Sequence, residues 1–172
     1  MAKEHDASVA KLGATIVLGL AVAVVLGVPF ALAEVYNPSA ILGVALPVLY
    51  AAVAAGAVVS IARARGIANE RWLVRAALAV TFGGYLASWL PWEYFTLVRL
   101  GADVSPALLA HPGAFFDGLA LLYEGGAWTV GSAHRDDAVA GPVLGAVWAL
   151  EAAIVIAVAY ASAKSSARRR RA

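Results

Sequence analysis

Four apolar stretches, Leu12 to Ala33, Ala40 to Ala62, Trp72 to Tyr94 and Val139 to Ala161, constrain this chain more than any other feature. A bilayer hydrocarbon core of about 30 Å is crossed by roughly 20 helical residues, and each stretch reaches that length. The sequence therefore predicts an all-α integral membrane protein, a bundle of four transmembrane helices. Composition agrees: 62% of the 172 residues are hydrophobic and 14% are charged, whereas soluble domains average about 45–50% apolar and about 25% charged. The whole chain, 1–172, is read as one membrane domain.

Charge sets the expected orientation. Lys3, Lys11, the cluster Arg63, Arg65, Arg71 and Arg75, and the tail 164–172 with Arg168, Arg169, Arg170 and Arg171 all fall on one side of the four spans. The positive-inside rule makes that side cytoplasmic. Both termini then lie in the cytoplasm, while Tyr36-Asn37-Pro38 and the segment 95–138 face outward. The terminal arginines are expected to meet anionic lipid headgroups rather than nucleic acid, because they directly follow an apolar run. High alanine, arginine and valine with no cysteine suits a bacterial cell (inner) membrane. A competing reading takes the basic start, the first apolar stretch and Ala31-Leu32-Ala33 as a cleavable secretory signal. The length of that stretch favours a retained first helix.

In a bilayer, helices associate by close backbone approach, which small residues permit. Gly141, Gly145, Ala149, Ala153, Ala157 and Ala161 recur every four residues in span four. This ridge is expected to pack against neighbouring helices of the bundle. Pro29 and Pro47 lie inside spans one and two, and Pro91 is expected to distort the last turn of span three.

Glu151 interrupts the fourth span near its middle. An ionised carboxylate at that depth costs several kcal/mol, and such groups face protein or water. Counting inward from the span ends places Glu151 level with Thr81, one turn from Tyr85 and near Tyr50 in depth. Helical geometry sets the acid roughly 120–160° around from the small-residue ridge, so the two are expected to face different neighbours. The acid is read as a neutral or hydrogen-bonded group that fixes helix register, as a protonatable transport site, or as part of a ligand pocket.

The outer segment 95–138 is too long for a simple connection and should contain structure of its own. Ser105-Pro106 begins like a short helix, and Gly113 to Tyr123 reads as a second, amphipathic one with Phe115, Phe116, Leu119, Leu122 and Tyr123 on one arc. It is expected to lie along the outer boundary as a cap between spans three and four. Outer-face candidates for chemistry are Glu34, Glu93, His111, Asp117, Glu124 and His134. Their scatter matches no metal-binding, nucleophilic or phosphate-binding spacing, and no histidine sits in a span to ligate haem, so no catalytic residue, metal or cofactor is predicted. Trp72, Trp89, Trp92 and Trp128 with Tyr36 and Tyr94 read as interfacial anchors.

These features point to a non-catalytic structural, assembly or interaction subunit whose partners are lipid, itself or another membrane protein. A small ion- or proton-coupled transport protein using Glu151 is the alternative, and a membrane enzyme with an outer-face site is the third.

Overall fold

The computed structural model describes residues 2–37, 40–106, 112–127 and 139–168. They form five helices: α1 (Ala2–Val35), α2 (Ala40–Ala64), α3 (Glu70–Arg99), α4 (Pro112–Gly125) and α5 (Gly141–Arg168). Helices α1, α2, α3 and α5 are long and apolar enough to cross a membrane. The protein is a multi-pass, all-helical membrane protein with a four-span bundle. Three spans run beyond their sequence-expected ends: α1 begins at Ala2, α3 continues to Arg99 and α5 to Arg168. The helices there continue past the apolar segments into residues of mixed polarity.

The tightest seam of the bundle lies between α1 and α3. Thr15, Gly19, Ala23, Gly27, Ala31 and Val35 of α1, spaced by four, are all buried. A side chain at Gly84 of α3 would collide with Ala23, and one at Gly27 would stand 3.0 Å from the Ser88 Cβ. The backbones thus meet through a ridge of small residues, as close helix contact in lipid requires.

The ridge singled out in span four behaves differently. Ala149, Ala153, Ala157 and Ala161 are exposed, and Gly141 and Gly145 are only partly covered. Packing within the bundle instead uses Val155, Ala159, Ala163 and Ala167 of α5, facing a run of buried alanines and valines on α2 from Ala51 to Ala62. The expectation that the Gly141-to-Ala161 ridge packs inside the bundle is corrected. The face of α5 that carries Val155, Ala159, Ala163 and Ala167 makes those contacts.

Asn69 caps α3, its Oδ1 accepting from the backbone N–H of Arg71 at 3.0 Å and of Trp72 at 3.4 Å. Gly66, at φ 81°, closes α2 in a left-handed turn in which Ile67 N–H donates to the Ala62 carbonyl at 3.0 Å, a conformation that favours glycine. At this end Arg63 donates to the Ala167 carbonyl at 2.7 Å and Arg168 lies 3.9 Å from Glu70. The arginine-bearing turn and the end of α5 therefore occupy one end of the bundle, here the basic end. Helix α4 covers the other.

Pro29, Pro47 and Pro91 all lie inside continuous helices. Pro91 precedes two further turns of α3, so the expected distortion of a last turn does not apply. Helix α4 packs on α3 and α5, with Gly118 and Leu122 buried and Asp117 and Glu124 exposed. Phe116, on the apolar arc, is 66% exposed, and α4 settles against α3 through Gly118.

Candidate functional site

The buried positions of α2 and α5 lie mostly toward the basic end. On α2 they run from Pro47 to Ala62 and on α5, apart from Leu144, from Val155 to Ala167. Toward the α4 end the two helices carry Gly43, Val44, Val147, Leu150, Glu151 and Ile154, which line a cavity of about 190 Å³. Alanines allow close packing in one half, and tryptophans hold the helices apart in the other. Phe30 and Glu34 of α1 and Ser88, Trp89 and Trp92 of α3 complete the wall with Trp148 of α5.

Two carboxylates thus share one cavity between the four spans. Glu151 lies about 15 Å along α5 from Gly141, and Glu34 stands one residue before the end of α1. They are close enough to interact electrostatically. One Glu34 oxygen is buried without a hydrogen-bond partner. Arg99, the cation nearest the end of α1, is committed elsewhere: it donates to the Val35 carbonyl and lies 5.7 Å from the Tyr36 ring centroid. A guanidinium at that position caps the negative end of α1. Among the described residues, neither Glu34 nor Glu151 forms an ion pair.

An aromatic wall surrounds the acids. Trp89 and Trp148 have ring centroids 5.2 Å apart, Trp92 packs edge-on against Trp148 at 6.1 Å, and Tyr85 meets Trp89 edge-on at 5.9 Å. Phe30 joins Tyr50 at 5.0 Å and Tyr85 at 6.4 Å. Tyr123 of α4 reaches Trp148 at 6.2 Å and lies over Gly145, so α4 roofs this end of the cavity. Trp89 and Trp92, expected as interfacial anchors, face inward. Trp72 and Tyr36 are exposed.

Of the intramembrane cluster expected around Glu151, only Tyr85 is beside it. The Tyr85 hydroxyl interacts with the Glu151 carboxyl but remains outside normal hydrogen-bond geometry. Tyr50 instead donates to the Ala23 carbonyl at 3.3 Å, joining α2 to α1. Thr81 is fully buried with its hydroxyl unpartnered and does not line the cavity. Counting residues from the span ends put Glu151 too deep, because α5 continues to Arg168, seven residues beyond the counted end at Ala161 on the basic side.

Glu93, expected where water reaches it, is 0% exposed. Both of its carboxylate oxygens are buried without a partner, and it lies against Gly118 of α4. It faces a different neighbour from Glu34, so the two do not build a common vestibule. His111, His134, Trp128 and Arg169 to Arg171 lie outside the described residues.

Sequence reasoning missed the pairing of Glu34 with Glu151 and the roles of Phe30, Ser88 and Trp148. The available signal was an aromatic and an acid on one face of span one, Phe30 and Glu34 four residues apart. Comparison with family models, curated proteins and solved structures finds no match for this chain. Residue chemistry alone therefore bears on function.

Proposed function

We propose that this is a small ion- or proton-coupled transport protein of a bacterial inner membrane, with Glu34 and Glu151 as its coupling carboxylates. The observation that supports it is the convergence of two acids from the first and last helices on one cavity without a cation among the described residues to neutralise them. Ionisable groups inside a membrane are expensive to bury and mark proton or substrate paths. The Arg63 turn and Arg168 share one end of the bundle and α4 takes the other, which supports cytoplasmic termini under the positive-inside rule. In reconstituted vesicles with an entrapped pH-sensitive dye or radioactive sodium, the protein gives a pH-dependent flux that Glu151→Gln abolishes. Absence of such a flux removes the reading.

An assembly role has its own supporting observation, the exposed stripe Ala149, Ala153, Ala157 and Ala161 on α5. Small residues spaced by four on a lipid-facing surface suit association with a second membrane helix. Cysteine placed at Ala153 in this otherwise cysteine-free chain tests it: rapid disulfide dimers in native membranes support association of two copies, and none forms if that face meets only lipid.

A further inference from the structure

The cavity has chemistry beyond a bare proton site. Its polar floor is two carboxylates, and its walls are the rings of Phe30, Trp89, Trp92 and Trp148. A metal ion or hydrated sodium would want several oxygen ligands, and no group of three or more acids and histidines forms among the described residues. Aromatic faces beside negative charge instead suit a substituted ammonium, which gains from ring quadrupoles and carries its own apolar surface. The cavity wall also reaches the side of the bundle: Val44 of α2 and Leu150 of α5 are 54% and 61% exposed while lining it. A span's outward surface meets acyl chains, so this opening faces lipid.

We propose that the cavity binds a hydrophobic organic cation, a quaternary or protonated ammonium bearing an apolar group, which passes in from the lipid between α2 and α5. This substrate class rests on the transport reading above. The two carboxylates supply the charge complement, and the tryptophans replace the ion's hydration with ring faces. Val44 and Leu150 form the threshold, and α4 with Tyr123 closes the route at the other side of the tryptophan layer.

Benzyltrimethylammonium, permanently charged, and its uncharged carbon isostere neopentylbenzene are the probes. Calorimetric titration of the full chain in lipid nanodiscs gives saturable binding of the ammonium, at least about tenfold tighter than of the isostere. E34Q/E151Q removes that preference while retaining the wild-type circular dichroism spectrum, and Trp89→Leu weakens ammonium binding without changing the helical content. Leu150→Trp, at an exposed position, slows association in stopped-flow tryptophan fluorescence. Equal affinity for charged and neutral probes, or an unchanged preference in the double carboxamide variant, overturns the cation assignment. An unchanged association rate in Leu150→Trp overturns passage between α2 and α5. Flux in vesicles without ammonium binding defeats this inference and leaves the transport reading standing; binding without flux does the reverse.

Discussion

The carboxyl group of Glu93 occupies the space that a side chain at position 118 would fill. Gly118 is therefore the point at which α4 comes down onto α3, over an acid whose oxygens have no partner. Gly118→Ala forces the Glu93 carboxyl or the whole of α4 to move. Overpacking of this kind costs about 1–3 kcal/mol, so the variant should melt lower and be cut faster by protease within α4. Glu93→Ala combined with Gly118→Ala should restore much of the loss. Additive losses in the double variant would mean that the two residues do not compete for this space.

Gly84 should be the least replaceable glycine of the bundle. A methyl group there meets Ala23 and Tyr50, at the crossing where α1 and α3 come closest. Gly84→Ala is expected to lower stability by about 1–3 kcal/mol in a detergent unfolding assay. Gly56 has nothing within 4 Å of its added Cβ, so Gly56→Ala should be neutral or raise stability by about 0.5–1 kcal/mol through helix propensity. A reversal of that order would contradict the seam described between α1 and α3.

Glu151→Leu separates a structural acid from a functional one. Glu151 forms no ion pair among the described residues, and the Tyr85 hydroxyl beside it lacks a normal hydrogen bond. Replacing a buried polar group by an apolar one of similar volume is then close to neutral or stabilising. The expected result is an unchanged or higher melting temperature together with loss of flux. A marked fall in melting temperature would assign Glu151 to register or assembly instead.

Topology is open to a clean test because the chain has no cysteine. Asp117→Cys, on the exposed face of α4, should react with a membrane-impermeant maleimide in intact cells. Arg65→Cys should react only after permeabilisation. Labelling in the opposite order would invert the orientation, with the bundle itself unchanged.

Much of the fold was legible because membrane crossing depends on local properties. A run of about 20 apolar residues reads as a span whatever it later touches, and the glycine-closed amphipathic piece read as α4 needed only its own periodicity. The facing of each span was not legible in the same way. Small residues spaced by four occur in both α1 and α5, yet Gly19, Ala23, Gly27 and Ala31 are buried and Ala149, Ala153, Ala157 and Ala161 are exposed. Identical spacing marks a close-packing surface without naming the helix that meets it.

The candidate site shows the same division. Glu151 stands out as an acid inside an apolar run, but Glu34 reads as a boundary residue and Trp148 as one more apolar side chain. By itself the sequence determined that this chain is a four-span helical membrane protein, which end is basic, and that one acid lies within a span, since length, hydropathy and charge are properties of each segment alone. Tertiary structure alone decided that Glu34 joins Glu151 inside a tryptophan-walled cavity and that Glu93 lies beneath α4. The rotation and relative depth of each helix follow from how its small and large residues fit against residues distant in the chain.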